Sequence, residues 1–358
     1  MDYLIVILTY MIKQFNGNRT VFGAYHILKG KKSAQTIQDC HLFKMAPLFG
    51  VYKQLERDTV IEVINTLSEK SLIVECSEQR FILTEKGEQF LRRKMNENPL
   101  PHHLNGYIYK DIAELFWRRI VLTSQCLSFL KIDKNNFLPI IKDRNIQTWV
   151  RGYLTTSTNQ LDKLTNQLYT ELNEVLKQFS EKEATIFVLR LSGSHRIGLT
   201  NEQIASKLSV NHFYSHLLFL NTVHGMIRFV TRQKDAFPIL HSLLDDVLKH
   251  SYLTETAKST YSLLKEGLSI DDIAMRRGLK VSTVEDHVVE IAMSIKSFSI
   301  DPFVTKEDQS MINSTINFLK TKRLKEIKEE LNHRVSYFAI RLTLAKKEVN
   351  NGSNANLV

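Results

Sequence analysis

Proline and glycine are scarce in this chain, six and thirteen among 358 residues. A β-rich architecture with many tight turns needs more of both, so it is excluded along with long irregular loops. Cysteine is scarcer still: Cys40, Cys76 and Cys126 stand far apart, odd in number and without a CxxC pair. That pattern supports neither a disulfide framework nor a zinc site, and leaves reduced thiols in a reducing compartment. The apolar run Tyr3-Leu4-Ile5-Val6-Ile7-Leu8 falls well short of the ~20 residues that cross a bilayer. It follows Asp2 and precedes Lys13, whereas a secretory signal carries basic residues first and small residues at a cleavage site. The run predicts a buried first helix, no membrane partner and a cytoplasmic protein.

Catalytic signatures are missing as well. A nucleotide-driven motor needs a glycine-rich loop ending in Gly-Lys-Ser/Thr; Gly30-Lys31-Lys32-Ser33 lacks both the spacing and an upstream strand. No GxSxG elbow, metal-binding pair or paired-carboxylate site stands out. The expectation is a protein that is not an enzyme, with no cofactor, no metal and no small-molecule substrate.

What is present favours helices: Leu, Ile, Lys and Glu dominate. The length suits two or three domains. A net charge of +10 and a pI near 9.3 raise the local concentration of polyanions, of which nucleic acid is the commonest.

Val21, Ala24, Tyr25 and Leu28 recur at helical spacing before Gly30. Ser33 can cap a second helix carrying Ala34, Ile37 and Cys40 inward, and a connection through Pro47 leads to a third from about Asp58 to Lys70. The period then changes. Leu72-Ile73-Val74 and Phe81-Ile82-Leu83 flank a polar stretch and read as a hairpin; Thr84-Glu85-Lys86-Gly87 opens a further helix. Three helices followed by a hairpin is the order of a winged helix. The tip, Ser77-Glu78-Gln79, has no aromatic residue and carries an acid, which suits a strand-separating wedge poorly.

Between residues 107 and 180 apolar stripes continue with few breakers, and Trp117 and Trp149 sit on them as packing residues. Thr200 followed by Gln203 forms a capping box. With Ala205, the turn at Ser209-Val210 and a helix from Asn211, it follows helix-turn-helix grammar. His212 and His216 lie one turn apart, but Phe213 stands where a zinc protease needs Glu. They read as polar surface or phosphate contacts.

The carboxy-terminal third is the most informative. A helix over Thr254–Leu264 ends at Gly267. Ser269 caps Ile270-Asp271-Asp272-Ile273-Ala274-Met275-Arg276-Arg277, and Gly278 supplies a left-handed turn. Ser282 then caps a helix burying Val284, Val288 and Ile291. The frame returns 54 residues on: Ile270 corresponds to Leu324, Ile273 to Ile327, Gly278 to Asn332, Val281 to Val335, Val284 to Phe338 and Val288 to Leu342. Asn is the next-best residue for a left-handed turn, so the repeat preserves turn chemistry as well as apolar spacing. In the first unit the reading helix presents Glu285, Asp286 and Glu290, an acidic set that repels phosphates and suits a protein partner. In the second, Arg334, Arg341, Lys346 and Lys347 with Tyr337 are expected outward, flanked by Lys320, Lys322, Arg323 and Lys325. The DNA-binding set expected is Arg334, Tyr337, Arg341, Lys346, Lys347, Lys322 and Arg323.

The stretches Leu28-Lys29-Gly30, Ile37-Gln38-Asp39, Leu48-Phe49-Gly50 and Leu83-Thr84-Glu85-Lys86-Gly87 resemble the RQC winged helix of RecQ-type DNA helicases. Residues 253 to 347, through Leu263 to Ala274 and Val281-Ser282-Thr283-Val284-Glu285-Asp286-His287, resemble the helix-turn-helix domain at the carboxyl end of some RecQ-like helicases. The full arrangement is similar to the YpbB family of Firmicutes, free-standing proteins associated with a RecQ-like helicase. The resemblance implies a DNA-binding or adaptor role beside such a helicase, in DNA repair or replication-fork maintenance, selective for DNA structure rather than sequence. A transcription regulator reading one operator and a purely protein-binding scaffold are the alternatives. The fold expected is mainly α: a winged-helix domain over residues 1–100, a helical middle over 101–245 with a possible helix-turn-helix at 199–219, a tandem helix-turn-helix domain over 246–347, and a disordered tail over 348–358.

Overall fold

The computed structural model describes residues 3–134, 136–155, 161–248, 253–295, 297–319 and 321–351. The fold is mainly helical, and among the described residues the strands form one hairpin. The chain divides into two compact units, one of residues 1–7 with 91–250 and one of residues 8–90 with 251–358. The winged helix and the tandem modules therefore share a unit.

Helix α1 (Tyr3–Phe15) is buried along nearly its whole apolar length. α2 (Val21–Lys29) stops at Gly30, whose φ of 69° is left-handed. Ser33 accepts the Thr36 N–H and starts α3 (Ala34–Leu42). After a short 3-10 turn at Ala46–Leu48 comes α4 (Arg57–Glu69), burying Val60, Val63, Ile64 and Leu67. Strands β1 (Ile73–Ser77) and β2 (Arg80–Leu83) pair antiparallel, with Ile73 opposite Leu83 and Val74 opposite Ile82. β1 outruns its apolar run because the ladder continues, through an irregularity between Glu75 and Ser77, up to the tip. Thr84 Oγ1 accepts the Gly87 N–H at the start of α5 (Glu85–Glu97). A Cβ on Gly87 would lie 2.0 Å from the Leu72 carbonyl oxygen, so this close approach requires glycine.

In the other unit, α6 (Gly106–Leu130), α7 (Arg144–Thr155), α8 (Leu161–Leu176) and α9 (Glu181–Leu189) precede α10 (Asn201–Lys207) and α11 (His212–Arg232). Short helices α12 (Pro238–Ser242) and α13 (Asp245–Leu248) follow. Trp117 packs edge-on to Phe187 and Phe219, with centroids 5.0 and 4.8 Å away. Trp149 covers the buried Arg119 guanidinium at 3.8 Å, while Arg119 grips Asp246 through two hydrogen bonds of 2.6 and 2.8 Å. Both tryptophans are thus packing residues.

The Thr200–Gln203 capping box forms, Ser209 is left-handed at φ 53°, and Asn211 caps α11 through the Phe213 and Tyr214 N–H groups. This helix-turn-helix turns its second helix inward: Phe213, Leu217, Val223, Met226 and Ile227 are buried, which makes α11 the core helix of its unit. Among the described residues no His, Cys, Asp and Glu group could hold a metal, and no helix is long and apolar enough to cross a membrane.

Among the described residues, six helices complete the unit that contains the winged helix: α14 (Glu255–Lys265), α15 (Ile270–Arg277), α16 (Val281–Ser294), α17 (Lys306–Leu319), α18 (Leu324–Glu330) and α19 (Tyr337–Asn351). The last continues into the segment expected as tail; residues 352–358 lie outside the described residues.

Candidate nucleic-acid interface

The two carboxy-terminal modules are trihelical, α14–α15–α16 and α17–α18–α19. In the first, Ser269 and Asp272 form a capping box and Gly278 closes α15 at φ 61°. In the second, the matching Asn332 is also left-handed at φ 49°, and so is His333 at 59°. Two consecutive left-handed residues lengthen the second turn, and there Ser336 accepts the Ala339 N–H as a cap. The first turn is tighter. Helix α16 starts at Val281 with Lys280 before it and no side-chain cap, so the cap expected from Ser282 does not form. Val281 is consequently 43% exposed, while its counterpart Val335 is 5% exposed. The remaining pairs keep their places: Ile273 with Ile327 and Val288 with Leu342 are fully buried, and Val284 with Phe338 is buried.

The third helices of the two modules, α16 and α19, pack against each other, and α3 of the winged helix packs on both. Val288, Val289, Ile291, Ala292 and Met293 on α16, and Ile340, Leu342, Leu344 and Ala345 on α19, are all buried. The helices that would lie in a major groove are closed over most of their length.

That closure decides where the expected contact residues go. Glu290 corrects the expectation of an exposed acidic set: it is 6% exposed and accepts the Thr254 N–H at 2.6 Å and its hydroxyl at 3.0 Å. Burial pushes its carboxyl above the ordinary range, against the pull of those bonds. Asp286 pairs with Arg341 at 2.7 Å. Glu285 is half-buried, and burial raises its carboxyl pKa against the attraction of Arg341.

Arg341 also departs from its expected outward position. Its side chain is 17% exposed, and Nε donates to Gln38 Oε1 of α3 at 3.0 Å. It bridges α19, α16 and α3. Lys346 donates to the Phe298 carbonyl and Lys347 to Asn317 Oδ1, each at 2.7 Å. Lys322 donates to the Leu42 carbonyl and stands over the Phe43 ring. Arg323 pairs with Glu326 at 2.8 Å and donates to the Gly17 carbonyl at 2.6 Å. Lys320 lies outside the described residues.

Arg334 is exposed in the turn before α19, and Tyr337 is 45% exposed at the first turn of that helix. Lys328, which local spacing did not single out, places its Nζ 4.2 Å from the Tyr337 ring centroid. The signal existed, a lysine and a tyrosine on either side of one turn, but only the folded turn makes them neighbours. Lys325 is 80% exposed beside them on α18.

A helix-turn-helix domain family matches residues 256–344. Protein YpbB of Bacillus subtilis (strain 168) is 34% identical over 348 residues, 97% of this chain and 98% of that protein. The chain belongs to the YpbB family. No solved structure matches it.

In this YpbB-family chain the reading position of the winged helix presents little to a polyanion. Helix α4, which occupies the reading position of a winged helix, exposes Asp58, Ile61, Glu62, Asn65 and Glu69 between Arg57 and Lys70. The hairpin tip is tied down: Gln79 donates its N–H to Glu75 Oε1 at 2.6 Å and its carbonyl accepts the Val21 N–H at 2.9 Å. A tip bonded to the start of α2 is not free to enter a duplex as a wedge.

Proposed function

We propose that this protein is a non-enzymatic, cytoplasmic DNA-binding adaptor that works beside a RecQ-like helicase in DNA repair or replication-fork maintenance. The observation that carries the DNA part is the division of the tandem module. The lengths of α16 and α19 are buried against each other, while Arg334, Tyr337 and Lys325 stay outside at the second turn, with half-buried Lys328 against the Tyr337 ring. Cations and one ring at a helix entrance can meet phosphates and a stacked base, but they offer few bidentate contacts to base edges. Such a surface favours DNA shape over sequence, which supports the adaptor over an operator-reading regulator. Lys322 and Arg323 border it; Arg341, Lys346 and Lys347 act behind it by holding α19 in place.

The helicase part rests on the resemblance of both the winged helix and the tandem module to domains of RecQ-type helicases. The acidic α4 face, with exposed Ile61, supports a protein partner at that end, and Glu285 and Asp286 border a second such surface on α16. Fluorescence anisotropy with a fork, a single strand and a random duplex tests DNA binding. The fork should bind most tightly, with affinity falling steeply with salt. A large preference for one duplex sequence would restore the regulator, and no binding at low salt would leave the scaffold. Affinity purification from the native cell with nuclease tests the partner, and a helicase should remain bound.

A further inference from the structure

Three arginines distant in sequence converge on one turn of the winged-helix unit. The α1–α2 connection turns sharply through two left-handed residues, Asn16 at φ 42° and Gly17 at φ 72°, and offers the successive carbonyls of Gly17 and Asn18 to side-chain donors. Gly17 O accepts from Arg323 Nη2 at 2.6 Å and from Arg80 Nη1 at 3.5 Å. Asn18 O accepts from Arg80 Nη1 and from Arg19 Nη1, both at 2.9 Å. Guanidinium groups from the turn itself, the hairpin and the α18 entrance are thus gathered on two neighbouring oxygens. They border a cleft of about 440 Å³ lined by Asn18, Arg19, Gln35, Arg80, Arg323, Leu324, Lys325 and Glu326.

The charges do not cancel at the lining, where four cations face one carboxylate. Arg19 is neutralised from behind by buried Asp39 at 2.7 Å, and Arg323 by Glu326 at 2.8 Å. Lys325 has only a long pairing of 3.8 Å with Glu329. Arg80 has carbonyl partners through Nη1 and, among the described residues, no ion pair, although its charge is felt by Glu326. Clustering like charges around a cleft costs free energy that an anion recovers, and a planar guanidinium fork matches phosphate oxygens.

We propose that this cleft seats a phosphate group of a nucleic-acid backbone, held by Arg80 and Lys325 and flanked by Arg19 and Arg323. The inference rests on the DNA-binding reading above and gives it a second point of contact, on the winged-helix side of the unit. It also joins that contact to the exposed Lys325 and the half-buried Lys328 of α18, so one strand could be tracked from the cleft toward Tyr337.

The test uses the full chain and variants R80Q and K325Q, with K265Q as a single-charge control on α14. Each binds a fluorescein-labelled DNA fork over a salt series, and each is titrated calorimetrically with inorganic pyrophosphate. R80Q and K325Q should bind the fork roughly tenfold more weakly at low salt. Each should also reduce the slope of log affinity against log salt by about 0.7 to 0.9, the value of one lost phosphate contact; K265Q should leave the slope unchanged. Lys325 holds nothing in place, so K325Q decides the matter if R80Q fails to fold. Wild-type binding to the fork with unchanged affinity and slope in K325Q and in folded R80Q overturns the cleft and leaves the DNA reading intact. Should the wild type bind no fork, the DNA reading falls and pyrophosphate decides: heat lost in the variants keeps a phosphate site, and no heat with the wild type removes it.

Discussion

His224 shows how a single buried group sets a limit on the conditions the fold tolerates. It is 1% exposed, and its Nδ1 accepts the Asn105 N–H at 3.1 Å. That bond needs a bare Nδ1, so the ring must be neutral with its proton on Nε2. Burial, aided by repulsion from His216, lowers its pKa to about 3. The unfolded chain binds this proton near pH 6.5 and the folded one does not, so stability is intact above pH 6.5 and falls as pH drops toward 3. At pH 5 the loss from this residue approaches about 2 kcal/mol as an upper figure. Urea unfolding followed by circular dichroism should show the midpoint falling between pH 7 and pH 5, with less of a fall in H224Q. Equal falls in both would place the acid sensitivity elsewhere. Arg341 makes the complementary case for a cation. R341M should lose roughly 2 to 3 kcal/mol of stability by leaving Asp286 and buried Gln38 without a partner, whereas R334Q should leave the melting temperature unchanged and weaken fork binding.

At the scale of elements, much was legible because the signals are local. The hairpin announces itself by a change of period, α10 by its capping box, and the tandem repeat by a left-handed residue at a fixed offset from two buried positions. Gly278 and Asn332 test that repeat directly. G278A forces a Cβ into φ 61° with nothing nearby to clash, so it should cost about 1 kcal/mol through backbone strain alone. N332G relieves the same constraint and should be neutral or slightly stabilising, as read by chemical denaturation. Opposite signs at equivalent positions would be hard to reconcile with unrelated turns. What the sequence concealed is which face of each helix meets another. Glu290 looks solvated in a helical projection, yet its partner is the Thr254 N–H 36 residues away. Arg341 sits at a position equally suited to a phosphate or to Asp286, and only the packing of α16 on α19 chooses between them. The arginines around the Gly17 carbonyl share no local pattern at all.

At the scale of the whole molecule, the contact of α3 with both α16 and α19 makes the winged helix part of the support for the tandem module. A fragment of residues 253–347 would expose the faces of α16 and α19 that α3 covers, including the neighbourhood of Gln38. It should melt at a lower temperature than the full chain and self-associate on gel filtration; a monomeric fragment of undiminished stability would show that α3 contributes little. The other unit holds both of the chain's tryptophans, Trp117 and Trp149. Tryptophan emission, excited beyond the tyrosine absorption band, is therefore an account of that unit only, and a melt recorded by it is blind to the half that carries the paired modules. The exposed thiol of Cys76 on the wing, set against the buried thiol of Cys40, is where a dye could be attached to give that silent half a voice.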